Sequence, residues 1–250
     1  MLWLLGTIAV GFAEPCDRVG IADVLAVPPP AILVLGERHG TQPDLRRAAQ
    51  IVSRLARRSP VTLALEVIPE GKQPVLDAWA RGEIDPLELR DALDWQASVG
   101  FPWPPYEPLV TAALQEVRVV AVGVETERPP PEASFPVPGG YMSVLREAMG
   151  EQAVPLALQS SFVRTLAWED YRIAHQAVEA WDGRGYLVLL TARGRVEGGR
   201  GVSWQAELLR PEPVESFVLA WATNPPCFPG DRVWHQSPLE RVFPATGGRN

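Results

Sequence analysis

Apolar positions along the chain follow two different periods. Ala31 to Gly36 reads Ala-Ile-Leu-Val-Leu-Gly, an unbroken apolar run preceded by Pro28-Pro29-Pro30 and stopped by glycine, the pattern of a strand buried on both faces. Leu45, Ala48, Ala49, Val52, Leu55 and Ala56 then recur at helical spacing, with Arg46, Arg47, Arg54, Arg57 and Arg58 around the other side, which predicts an amphipathic helix. Its start, Thr41-Gln42-Pro43-Asp44, has the form of a capping box with proline in the first turn. A second apolar run, Val61 to Leu65, ends at Glu66. Strand, helix and strand in this order predict a right-handed crossover joining two parallel strands of one sheet.

Helical spacing continues through Val75, Leu76 and Trp79, through Leu87, Leu89 and Leu93, and through Leu109 to Leu114. Val117–Val124 and Tyr186–Leu190 read as the third and fourth buried strands. Between them lie Pro129, Pro130, Pro131, Pro136 and Pro138, a stiff connection that cannot join a central strand. Gly139-Gly140 follows, and then a helical region from Tyr141 to about Trp181 with a break at Pro155. Val202–Leu209 and Glu215–Trp221 read as later strands, antiparallel at an edge. The predicted architecture is one α/β domain over residues 31–222, an open, mostly parallel sheet flanked by helices. An N-terminal segment (14–30) precedes it and a tail (223–250) follows.

The composition is that of an ordinary globular chain, with 46% hydrophobic and 21% charged residues over 250 positions. A formal charge of −7 has the wrong sign for a protein whose main partner is a nucleic-acid backbone. Two cysteines and three histidines cannot build a multi-cysteine zinc site, so any divalent metal would have to lean on carboxylates. Leu2 to Ala13 is apolar over the length of a signal-peptide core. It predicts export to the periplasm or cell envelope, with a buried first strand as the alternative. Ala13-Glu14-Pro15 lacks the small apolar residues expected before a lipidated cysteine, so membrane association would come only through such an N-terminal anchor. In an exported chain Cys16 and Cys227 are expected to form a disulfide. In the cytoplasm they would be two thiols.

The candidate chemistry lies at the strand ends. Glu37 and His39 follow the glycine that closes the first strand, and side chains two residues apart in extended backbone share a face. Glu66 closes the second strand. In an open parallel sheet these ends border the crevice where ligands bind. One imidazole and two carboxylates there suit either a divalent cation or general-base chemistry on water. In the alternative reading, Glu37 anchors a loop and Glu66 pairs with an arginine.

Gly36-Glu37-Arg38-His39, Gln50, Leu65-Glu66, Gln73-Pro74-Val75-Leu76-Asp77, Trp95, Trp103, Tyr106 and Val119-Val120-Ala121-Val122 resemble the ChaN family of haem-binding uptake proteins in the Tiki superfamily. The late turn Gly194–Gly201 continues the likeness, which spans roughly Ala31 to Leu209. The resemblance implies a bacterial, exported protein, often a lipoprotein, that binds haem or a related iron compound as a small-molecule ligand. Relatives in the superfamily are hydrolases, which implies a second reading as an esterase or peptidase using Glu37, His39 and Glu66. Those hydrolases carry a further histidine where this chain has Arg195. An arginine stays protonated and cannot ligate a metal, so the departure argues against a metallohydrolase and opens a third reading, a non-catalytic binding module. Gly40 stands where the family commonly has an acidic residue, and Asp170 is the looser match for an acidic residue before the late helix. The expected ligand-binding set is Glu37, His39, Glu66, Trp103, Tyr106, Asp170 and Arg195. A haem would need an apolar face, cations for its propionates and an axial ligand such as Tyr or His, and Phe101-Pro102-Trp103-Pro104-Pro105-Tyr106 would supply a rigid aromatic wall. Tyr106, Tyr141, Tyr171, His39 and His175 are the available axial side chains, and Arg193, Arg195 and Arg200 are available cations.

Overall fold

The computed structural model describes residues 16–112, 117–125, 129–131, 133–142, 155–220, 228 and 231–235. The apolar run at 2–13 and Cys227 lie outside the described residues. Seven strands form one sheet: β1 (Asp17–Val19), β2 (Ala31–Glu37), β3 (Val61–Pro69), β4 (Val117–Gly123), β5 (Tyr186–Ala192), β6 (Val214–Ala220) and β7 (Arg232–His235). Their order is β1-β7-β6-β2-β5-β3-β4, and every ladder is parallel. The main helices are α1 (Ile21–Leu25), α2 (Gln42–Ala56), α3 (Gln73–Ala80), α4 (Leu89–Ala92), α5 (Trp95–Ser98), α6 (Trp103–Val110), α7 (Gln159–Ala180) and α8 (Val202–Leu209).

The predicted α/β architecture is therefore the observed one, and alternation along the strands explains its two layers. Ala31, Leu33, Leu35, Leu63 and Leu65 point into a core shared with α2, α3 and α6. Ile32, Val34, Ala64, Leu187 and Leu189 point to the opposite face, against Ile173 and Ala177 of α7 and Val202 and Ala206 of α8. Because β2 is covered on both faces, all seven of its residues are buried, Glu37 included. At the β4 edge, the Gln73 side chain accepts from Ala121 N (2.7 Å) and donates to Val119 O (3.3 Å). This amide occupies the outer hydrogen-bonding positions of an edge strand.

Three expectations are corrected. Val202–Leu209 is a helix, not a strand: its apolar positions 202, 206 and 209 keep a helical spacing that places Val202 and Ala206 on the sheet, while Leu208 is exposed. The strand at 214–220 is not an antiparallel edge but an interior partner of β2, because α8 provides the crossover that returns the chain in parallel. The capping box at α2 is not formed, since Thr41 makes no side-chain cap and Asp44 instead accepts from Arg38 N at 3.3 Å. The sheet also takes in β1 and β7, outside the 31–222 span. Cys16, just before β1, is in a disulfide, and no free cysteine remains among the described residues.

Candidate functional site

The carboxyl end of β2 carries a hydrogen-bonded chain of three side chains. Glu37 Oε1 lies 2.5 Å from His39 Nδ1 and accepts from the Tyr106 hydroxyl at 3.2 Å, while that hydroxyl accepts from Gly40 N at 3.0 Å. Glycine suits position 40 because φ is +73° there. Glu37 Oε2 is buried without a hydrogen-bond partner among the described residues. Burial raises the Glu37 pKa, against the lowering effect of His39 and Tyr106. Burial pulls His39 down, but the hydrogen bond and charge of Glu37, aided by Glu66, leave it raised overall. With Nδ1 turned to a carboxylate, the half-exposed imidazole directs its other nitrogen away from the pair, as a base or ligand requires.

A second network fills the ends of β3 and β5. Pairing of β3 with β4 is irregular between Leu65 and Pro69, and Glu66 projects from that irregularity. Glu66 Oε2 accepts from Thr191 Oγ1 (2.5 Å) and Ala192 N (2.6 Å), and its Oε1 lies 2.6 Å from Arg195 Nε. Arg195 also donates to Glu169 Oε2 (2.5 Å) and Asp170 Oδ1 (2.8 Å). The Tyr141 hydroxyl donates to the other oxygen of Asp170. Burial raises the Asp170 pKa to about 6, although Arg195 and Tyr141 act to lower it. Burial acts to lower the Arg195 pKa, but Glu66 and Asp170 hold it above its ordinary value. One guanidinium thus serves three carboxylates from two elements, and Glu66 does pair with an arginine.

A cavity of about 330 Å³ opens at these strand ends, lined by Glu66, Ser98, Gly123, Glu169, Ile173 and Arg195 among others. Gly123 is required here: a Cβ would meet Glu66 O at 2.4 Å and Ile68 O at 2.7 Å. Gly123→Ala is expected to lower the unfolding free energy by about 1–3 kcal/mol in chemical denaturation, since the obstruction is backbone.

The structure therefore divides the expected ligand set. Glu66 and Arg195 line the cavity, and Asp170 lies fully buried in contact with Arg195. Glu37, His39 and Tyr106 form the adjoining network. Trp103 packs edge-to-face on Trp95 with ring centroids 4.8 Å apart, at the margin of the first core. Among the described residues no cluster of three or more histidine, cysteine or acidic side chains is arranged to hold a metal.

Sequence reasoning missed an aromatic strip beside the cavity. Trp168, Tyr171 and His175 recur on α7, with ring centroids 6.1 Å and 5.4 Å apart along the series, and Phe135 packs against Trp168 at 5.2 Å with the two rings tilted by 52°. Arg164 lies over Phe135 and Arg172 over Trp168. The helical spacing of 168, 171 and 175 was the available signal.

The family model described as haem-binding uptake, Tiki superfamily, ChaN matches residues 27–129. No curated protein matches. Among solved structures, the chain is similar to ChaN of Campylobacter jejuni, a structure of cofacial haem binding to that protein. The two share 15% identity over 85% of this chain and 89% of that one, with a TM-score of 0.65. It is also similar to the type III effector HopBA1, at 12% identity over 88% and 94% of the two chains and a TM-score of 0.50. These likenesses show the fold, a parallel sheet flanked by helices, and the family-model match is confined to residues 27–129. The matched stretch contains the Gly36–His39 and Gln73–Asp77 segments on which the resemblance to the ChaN family rests.

Proposed function

We propose that this chain is an exported protein that binds haem or a related iron tetrapyrrole, with Tyr171 as the axial ligand. The match of residues 27–129 to a family model described as haem-binding uptake supports the ligand class. The carrying observation is the state of the four tyrosines. The hydroxyls of Tyr106, Tyr141 and Tyr186 are committed to Glu37, Asp170 and Val27 O, and their rings are buried. Tyr171 is half-exposed, and its hydroxyl makes no hydrogen bond among the described residues. It sits in the aromatic strip with Arg164 and Arg172 close by, which meets the three needs of a haem site. The strand-end cavity is at the small end of the range for ligand pockets, so a flat macrocycle would rest against α7 beside it. The disulfide at Cys16 suits an oxidising compartment and supports export.

Hemin added to the purified protein is expected to give a shifted Soret band, and Tyr171→Phe is expected to abolish the shift while leaving the circular dichroism spectrum unchanged. An unshifted spectrum at saturating hemin, or full binding by Tyr171→Phe, would overturn the assignment.

A further inference from the structure

We infer that residues 133–142 form a displaceable cover over the Trp168–Tyr171 face, in which Phe135 holds the place of a planar ring of the ligand. This inference rests on the tetrapyrrole reading above.

The Phe135 ring lies only 24° from the plane of Tyr171, with centroids 6.4 Å apart, and 5.2 Å from Trp168. The Arg164 guanidinium lies over the same ring, 4.8 Å from the centroid. Aromatic rings with a cation close by are what an anionic planar ligand would seek, and a residue of this chain already packs among them. Trp168 Nε1, under the same cover, is buried without a hydrogen-bond partner among the described residues.

The way the cover is held makes its removal chemically simple. Its carbonyls at Ala133, Pro136 and Gly139 are taken by side chains: Arg164 (2.9 Å), Gln205 (3.0 Å) and Arg200. Pro136 and Pro138 have no N–H to satisfy. Lifting the Phe135 end of the cover exposes these carbonyls and part of the small apolar cluster around Tyr141 and Ala167, and releases two guanidiniums, those of Arg164 and Arg200, for the carboxylates of an incoming ligand. At the far end, Tyr141 remains tied to Asp170, and through it to Arg195, which gives the segment a fixed point beside the cavity.

If only the open fraction accepts ligand, the apparent dissociation constant is the intrinsic one divided by that fraction. Phe135→Ala, which favours the open form, is expected to bind hemin faster and roughly five- to tenfold more tightly than the parent. Hydrogen–deuterium exchange supplies a second measurement: hemin should accelerate exchange at 133–142 in the parent, and Phe135→Ala should show that acceleration without hemin. A parent that binds hemin while 133–142 becomes protected, or a Phe135→Ala variant that binds no faster and no tighter, overturns the cover and leaves the tetrapyrrole site standing. No Soret change in either protein, with exchange showing the variant open, overturns the tetrapyrrole reading and the cover with it.

Discussion

Arg195→Ala is expected to lower the unfolding free energy by about 3–5 kcal/mol at neutral pH, because it removes the shared counter-charge of three clustered carboxylates. Asp170 is only 1% exposed, Glu66 11%, Arg195 19% and Glu169 20%. Breaking such a group from the cationic side strands negative charge in a partly dry site, which is far more costly than losing an exposed ion pair. Urea unfolding of parent and variant at pH 7 measures the difference. Acidification should restore part of it by protonating the stranded carboxylates. Arg195→His would set an imidazole among the same acids, and zinc is expected to raise the melting temperature of that variant but not of the parent. A loss below about 1 kcal/mol for Arg195→Ala would mean that the network behaves as a solvated surface cluster.

The same substitution bears on chemistry. The Glu37–His39 pair keeps the geometry of a base held by a carboxylate, with 2.5 Å between Oε1 and Nδ1. Glu66, its expected partner, is instead occupied by Thr191, Ala192 N and Arg195. A cation at the end of β3 is thus supplied by the chain itself, as the Arg195 guanidinium.

How much of this was legible depends on the range of the signal. The strands at 31–37, 61–69, 117–123 and 186–192 announce themselves as local apolar runs, and α2 as a helical period, so the sheet and its crevice could be read directly. The meeting of Glu37 with His39 follows from a two-residue spacing. Strands β1 and β7 have three and four residues, too few to show a period, and pair only because the fold brings residues 17–19 and 232–235 together. Adjacent Glu169 and Asp170 both reach Arg195, which requires knowing the rotation of α7 about its axis, and no sequence pattern fixes that angle. Phe135 meets Trp168 from a connection whose path no periodicity describes.

Stability is expected to rise as pH falls from 8 to about 5, the reverse of a protein held by its carboxylate ion pairs. Asp170 ionises at 3.8 when unperturbed but keeps its proton to about 6 in the folded chain. A raised pKa contributes stability that is complete below the unfolded value and lost as pH rises through the folded one. For this group the gain over pH 7 is about 1 kcal/mol at pH 5 and about 3 kcal/mol well below pH 4. Burial raises Glu37, Asp44, Glu197 and Asp231 in the same direction. His39, raised on balance by Glu37, adds stability of the same sign that fades as pH passes its folded value. Opposing them, the hydrogen bonds of Arg81 and Arg184 hold Glu83 and Asp182 below their ordinary values, so those contributions disappear in acid. Both of these pairs are on the surface, where ion pairs contribute little, so the buried groups set the slope until about pH 5. Asp170→Asn removes one titration while keeping an acceptor for Arg195, and its amide can donate to the Tyr141 oxygen. The difference in unfolding free energy between pH 5 and pH 7 should therefore shrink by about 1 kcal/mol in that variant. A parent protein most stable at pH 7–8, or an unchanged slope in Asp170→Asn, would show that Asp170 is ionised in the folded state across this range.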